Sequence, residues 1–544
     1  MQPTSRSGQR RTPACRDEST SSSSASDSIS PSHPATSIPT STFRAPRSSL
    51  VLSLKCASRL SHRSDSKVGE IFHWPSYKTW EFTSDHPIRS IFPLWLVYGP
   101  PLTVLKWICG GAGYHVSPMA VFYSLRLFMF LLSFVLQDWA LHELLPDKRE
   151  RSTALLLVAS SYVTWTFQMH TFSNSIETII VLWSLVLMRR MTLDKERTQV
   201  RLCIVLAFLG VLGVFNRITF PAFLLLPALQ LVPHIIKKPL SIAIVLFAAA
   251  LMTVLAMAID TEYYTGDRLR LRQIFSTAVV TPWNNLAYNL DSANLAQHGI
   301  HPFWQHSVAN LPQLIGPALP LLVVSSRKDT LFWAGLTGTA LLSCFRHQEP
   351  RFLLPAVPLL LSSIKWPARY ARLWLCTWVL FNALAALVFG RYHQAGLVPV
   401  QAWLAREDND VSHVFWWKTY SPPCWILGEK NEVVNTTDLM GMPKERMYEE
   451  LAAAVSCQRG ELDADLHDRT WLVAPLSSSF LDASTGTSSS VAGGTLHFEP
   501  VYTYRRHVGL DDLDWGEDGV WGTLQRVVGE RGLGVYEAYK VCDD

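Results

Sequence analysis

The sequence predicts a mainly α, polytopic membrane protein, and three observations predict it. Hydrophobic residues make up 48% of the 544-residue chain. Charged residues make up only 17%, against about 25% in an average soluble domain. Apolar runs recur from Ser117 to about 390, separated by short polar loops. The net charge of +4 leaves no basic stripe to track phosphates, so a nucleic-acid partner is excluded. The nine cysteines form no CxxC pair, so neither a metal site nor a disulfide scaffold is expected.

The elements follow in chain order. Residues 1–68 are rich in Ser, Thr, Pro and Arg and lack apolar periodicity. Such a segment buries too little surface to offset its ordering entropy, so disorder is expected. Its best apolar run, Leu50 to Leu54, is too short for a signal peptide; a transit peptide remains open. Residues 69–118 carry an apolar stretch broken by Pro93, Pro100, Pro101 and Lys106. That composition suits a helix lying at the membrane surface. About ten spans follow, near 119–138, 153–169, 176–188, 202–215, 218–235, 240–259, 308–324, 331–344, 352–364 and 373–389. Several are shorter than the ~20 residues a crossing needs.

Loop charge orients these spans. Basic loops at 147–151, 189–201, 237–238, 327–328 and 365–372 follow every second run. The positive-inside rule places them in the cytosol. The opposite loops, residues 69–118 and the polar region 391–544, are then lumenal. A lumenal start at 69 requires an upstream crossing, and residues 1–68 contain none. The sequon at Asn435 fits a lumenal tail. A disulfide among Cys424, Cys457 and Cys542 stays open on that side.

The chemistry gathers in four clusters on the lumenal side. Trp80 to Ser90 supplies Glu81, Asp85, His86 and Arg89 among aromatics. Carboxylates suit a general base, and Arg suits phosphate. A solvated loop is the plainer alternative. Phe345 to Arg351 supplies His347, Gln348, Glu349 and Arg351 in a turn at lipid-phosphate depth. Interfacial snorkelling is the alternative there. Loop 260–307 supplies Asn284, Asn285, Asn289 and His301 beside Trp283 and Tyr288. Amides that bond hydroxyls and rings that stack on sugar faces suit a glycan, although turn chemistry explains the same residues. Asn174 with Glu177, and Asn216 with Arg217, read either as polar site groups or as helix caps. No phosphate-cradling loop or common hydrolase motif is present. The residues alone therefore leave a lipid-linked transferase or a transporter.

At these clusters the chain resembles the glycosyltransferase family 22 mannosyltransferases. The matching stretches are KTWEFTSDHPIRSIFPLW from Lys78, HTFSNSIE from His170, FNRITFPAF from Phe215 and Thr281 to Pro302. NLPQLIGP from Asn310, HQEPRFLLP from His347 and WKTYSPPCWILG from Trp417 complete the set. Thr281 to Asn289 and Pro350 look like the branch that adds the fourth mannose to the GPI precursor. The segment from His301 to His306 departs from the third-mannose branch. The resemblance implies a GT-C fold and an enzyme of the endoplasmic reticulum membrane. It implies dolichyl-phosphate mannose as donor, a GPI precursor glycolipid as acceptor, an inverted α-1,2 linkage, membrane lipid as surroundings and no cofactor. The family's own base lies in a motif this chain lacks, so the loop's chemistry alone makes Glu81 and Asp85 the candidate catalytic carboxylates of this chain. Arg89, Asn284, Asn285, Asn289, His301, His347, Gln348, Glu349 and Arg351 are its substrate-binding residues.

One departure stands out. The family's HPDE motif, placed after a first span, has no counterpart here; the likeness begins at about Gly69. Either residues 1–68 stand in for the family's true beginning, or the chain is an inactive homologue that binds the GPI precursor. Another family 22 activity, on the third GPI mannose or the N-glycan precursor, also remains open.

Overall fold

The computed structural model describes residues 71–72, 74, 78–109, 116–193, 199–266, 277–291, 293–295, 299–407, 411–455, 457–458, 469–478, 488–491, 494–509, 513 and 515–541. The Ser-rich segment 1–68 lies outside them. All belong to one compact unit, Ser53–Asp544.

Up to about residue 404 the unit is helical, and every predicted apolar run contains a helix. Local chemistry sets the ends. Ser117 caps Pro118–Leu144 by accepting the Ala120 amide at 3.2 Å, and Pro118 occupies the first turn. Asp147 and Asp329 cap Lys148–Ser160 and Thr330–Leu342 in the same manner, at 2.9 and 3.1 Å. Gly266, at φ +74°, stops Pro239–Thr265 in the left-handed conformation.

Fewer helices reach crossing length than the runs suggest. Among the described residues three are long and apolar enough: Pro118–Leu144, Pro239–Thr265 and Ala371–Tyr392. His306–Ile315 with Ala318–Val324 makes a fourth if counted as one bent element, its halves at 115°. Of the other runs, Ser173–Leu193, Val200–Asn216 and Thr330–Leu342 are continuous helices, and others are interrupted. Ser161 ends Lys148–Ser160 and caps Tyr162–Thr166, and Pro227 lies inside Pro221–Leu229. A proline or a competing hydroxyl removes ladder bonds that an apolar pattern takes for granted.

Long crossing helices keep one face bare. Leu127, Leu131 and Phe134 are exposed on Pro118–Leu144, Leu246, Phe247 and Leu251 on Pro239–Thr265, and Leu373, Leu380 and Leu384 on Ala371–Leu387. Phe92–Ile108 exposes Trp95, Leu96, Val104, Trp107 and Ile108 while burying Phe92, Tyr98 and Leu102. Exposed apolar area of this kind is uncommon on water-facing surfaces.

The loops sort into two groups by contact. In the basic group, Arg327 pairs with Glu150 at 2.8 Å. The Arg327 amide donates to Ser363, and the Lys365 amide donates to Ser325. In the other group, segments near 81–90, 171–174, 214–219, 282–295 and 345–352 meet around one cavity.

The region after 404 is a mixed sheet in the order β2-β1-β4-β7-β6-β5, with β3 beside β7. β1 (Val411–Trp417) runs parallel to β2 (Asn435–Met440) and β4 (Arg469–Pro475). β7 (Leu533–Val541) is antiparallel to β4 and to β6 (Gly494–Tyr504), and β6 pairs antiparallel with β5 (Ser488–Val491). The two-residue β3 is Cys457–Gln458. Separate cores cover the two faces, one around Trp417, Leu472 and Met447, the other around Trp416, Trp471 and Val535. Strand alternation dictates that split. Cys424 is a free thiol; Cys542 lies outside the described residues.

Candidate functional site

The cavity has a volume of about 480 Å³. Asp260 assembles one wall. Its Oδ1 accepts from Ser90 Oγ at 3.0 Å and from the amides of Ile91 and Phe92 at 2.9 and 3.3 Å. Its Oδ2 accepts from Thr281 Oγ1 at 2.8 Å. One buried carboxylate thus caps Phe92–Ile108 and joins it to Thr281–Leu290, the helix carrying the asparagines. Asn284 and Asn285 strengthen the joint by donating to the carbonyls of Pro87 and Ile88, at 3.1 and 3.3 Å. Trp80 and Tyr288 meet across it, ring centroids 5.1 Å apart.

Three arginine–glutamate pairs define the interior. Arg89 Nη2 lies 2.8 Å from Glu81 Oε1. Arg351 grips Glu349 through Nε and Nη2. Arg217 Nε lies 3.2 Å from Glu177 Oε2, the arginine side chain 12% exposed and the glutamate 0%. Thr219 Oγ1 donates to the other Glu177 oxygen at 2.8 Å. Arg217 Nη1 donates to Ser173 Oγ and Asn174 Oδ1 at 3.2 and 3.4 Å, and its guanidinium covers the Phe352 ring at 4.9 Å.

These contacts set the proton affinities. Burial favours the neutral form of Glu349, but the His347 hydrogen bond and the Arg351 guanidinium outweigh it and hold the carboxyl at about 2. Burial pulls Arg217 down, Glu177 opposes that, and Arg89 and Arg351 add repulsion; the guanidinium sits at about 10 and stays charged at neutral pH. Burial also lowers His301, which favours its neutral ring at pH 7.

The structure brings most of the expected residues together. Glu81, Arg89, Asn285, Asn289, His347, Glu349 and Arg351 all line the cavity. Asp85 does not; it is exposed on the loop beyond the short helix Trp80–Thr83. Asn284 is occupied at the joint and lies off the lining. Gln348 is buried, and its amide is consumed internally: Oε1 accepts the His306 amide, and Nε2 donates to Ser343 and Phe345 carbonyls. It therefore shapes the turn and has no group left for a substrate. His301 stands behind His347, accepting the Gln348 amide at 3.3 Å. Asn435 is exposed at the start of β2, an edge strand. Among the described residues no cluster of side chains could hold a metal ion.

Two groups carry more than their sequence context suggested. The sequence leaves Glu177 and Arg217 as either polar site groups or helix caps and does not pair them; the structure pairs them and puts Arg217 in the cavity lining. Asp260 ends an apolar run, and its partners lie up to 170 residues away, so nothing local announces it.

The chain resembles known proteins over most of its length. The model of the Alg9-like mannosyltransferase family matches residues 68–427. GPI mannosyltransferase 4 of Aspergillus oryzae is 44% identical over 513 residues, covering 87% of this chain and 92% of that protein. GPI mannosyltransferase 4 of Emericella nidulans is 43% identical with the same coverage. The Saccharomyces cerevisiae protein of that name is 34% identical, covering 80% and 87%. The crystal structure of ArnT from Cupriavidus metallidurans bound to undecaprenyl phosphate is 12% identical, with a TM-score of 0.39 over 67% of each chain. That last likeness is too slight to carry an argument.

Proposed function

The chain belongs to the Alg9-like mannosyltransferase family, and on that premise we propose that it extends a trimannosyl GPI precursor with a fourth, α-1,2-linked mannose. The donor is dolichyl-phosphate mannose, and the setting is the membrane of the endoplasmic reticulum. The chain crosses that membrane about ten times in a GT-C arrangement, the interrupted runs included. The cavity and the C-terminal sheet face the lumen. The observation that supports this reading best is the convergence of acidic, basic, amide and aromatic groups from five segments on one cavity, in a chain whose relatives are GPI mannosyltransferases.

The roles follow from the pairs. Of the two carboxylates that line the cavity, Glu349 is a poor base, because it is held at about 2. Glu81 is the general base. An acceptor hydroxyl oxygen attacks the anomeric carbon, and its proton passes to Glu81. The bond from that carbon to the donor phosphate oxygen breaks, and the electron pair leaves with the phosphate. Protonated Glu81 no longer compensates Arg89, so Arg89 turns its charge to the departing phosphate. Arg351, 44% exposed at the cavity edge, meets the same phosphate as the donor enters.

Complementation tests the reading. Cells lacking fourth-mannose activity receive this chain, and their GPI precursors are profiled. Disappearance of the trimannosyl species is expected; its unchanged accumulation overturns the enzymatic reading. Glu81→Gln is expected to lower turnover at least ~100-fold, the usual worth of a positioned base. Full activity in that variant removes Glu81 from the role.

A further inference from the structure

We infer that the Glu177–Arg217 pair builds a neutral, hydroxyl-reading subsite in the cavity, one that recognises a hexose ring and rejects phosphate. The inference rests on the mannosyltransferase reading for the identity of the sugar. The geometry of the pair stands without it.

The argument starts from hydrogen-bond supply. A guanidinium carries five N–H donors on three nitrogens. Arg217 Nε faces Thr219 and Glu177, and Nη1 faces Ser173 and Asn174. Phe352 covers one face of the group. Nη2 has no hydrogen-bond partner among the described residues, and Arg217 lines the cavity. One donor edge is therefore presented there, held rigidly by everything around it.

Charge decides what that edge takes. Glu177 is fully buried against Arg217, so the guanidinium arrives already compensated. A phosphate brought to it would meet the glutamate's field in a site that screens poorly. A hydroxyl needs only the donor. An acceptor lines the same cavity. Asn289 spends its Nδ2 on Asn285, which leaves Oδ1 for a hydroxyl proton. Trp80 and Tyr288 line the same cavity and offer ring faces. The pair at Glu349 and Arg351 differs in kind. It is partly exposed, so Arg351 can leave its partner for an anion.

Two probes separate the readings, methyl α-mannoside and inorganic phosphate. Each is titrated into the purified full chain in detergent, with the unfolding midpoint as readout. The wild type is expected to bind the mannoside. Arg217→Lys, which keeps the charge and loses the fork, is expected to bind it about tenfold more weakly, the cost of one lost buried hydrogen bond to a charged donor. Glu177→Gln is expected to gain affinity for inorganic phosphate, because its arginine is no longer compensated. A purely structural role for the pair predicts no such gain. Absence of mannoside binding in the wild type overturns the subsite. So does equal mannoside affinity in Arg217→Lys, or no phosphate gain in Glu177→Gln; the latter decides alone if the lysine variant does not fold. Mannoside binding that depends on Arg217 in a chain that fails complementation leaves the subsite standing and removes the transferase reading.

Discussion

Asp260 shows how much one side chain holds. Four donors converge on its two oxygens, and all four sit beside the cavity. Asp260→Ala strands them in a buried place, at about 1–3 kcal/mol for each unsatisfied group. We expect transfer to fall on the order of tenfold, equivalent to ~1.4 kcal/mol in the barrier, with a lowered unfolding midpoint. Asp260→Asn keeps Oδ1 for three of the donors and is expected to restore most of both. If alanine and asparagine behave alike in microsomal transfer, the joint is not what positions the site. Glu349 makes a pH prediction. Its folded value, about 2, lies below its ordinary value of 4.5, so the pair stabilises the fold above pH 4.5 and loses that contribution as pH falls from 4.5 toward 2. Unfolding midpoints at pH 6 and pH 3.5 should differ more in the wild type than in Glu349→Gln; equal differences would contradict the pairing. At this scale the sequence discloses residue types but not their partners. Glu81, Arg89, Glu349 and Arg351 are conspicuous as charges in short loops between apolar runs. Gln348 looked as available as Asn285, because only the folded turn shows its amide consumed.

Among the elements, the helix breaks matter more than the helices. Gly316 ends Leu311–Ile315 at φ 43° and ψ −118°, where a side chain is strained. A Cβ there would stand 2.5 Å from the Phe381 ring. Backbone and packing both demand glycine, and the 115° bend between His306–Ile315 and Ala318–Val324 is built on it. Gly316→Ala should cost on the order of 1–3 kcal/mol and lower the unfolding midpoint by several degrees. A wild-type midpoint would show that the bend tolerates a side chain. Periodicity and hydropathy place a helix in every apolar run, because burial in lipid or core needs the same residues. They do not show where a run breaks. Ser161 is unremarkable in sequence, yet its hydroxyl accepts the Val163 amide at 3.3 Å and starts a new helix. The seven strands of the C-terminal sheet were legible only as mixed structure. β1 and β4 pair across more than fifty residues, a separation that local patterns do not encode.

The whole molecule is organised by sidedness. Basic loops touch one another through Arg327, Glu150 and Ser363, while the cavity draws on the alternate loops. Strict alternation of the proposed spans would carry this through to the region after Ala371–Leu387. If the basic ends face the cytosol, the cavity and the sheet share the lumen, where a lipid-linked sugar and a GPI glycan would both be presented. Asn435 reports on that arrangement directly. It is exposed at the first residue of β2, and the sequon continues through Thr436 and Thr437. An edge strand leaves room for a glycan that a central strand would exclude. Expressed in a eukaryotic cell, the chain should therefore carry endoglycosidase-sensitive mass that Asn435→Gln removes. Sequon occupancy also depends on the speed of folding, so a second readout fixes the side. A tag placed after Asp544 should resist protease in intact microsomes and be digested once detergent opens them. Digestion in intact vesicles would put the sheet in the cytosol, break the alternation at its last step and separate the sheet from the cavity's side of the membrane.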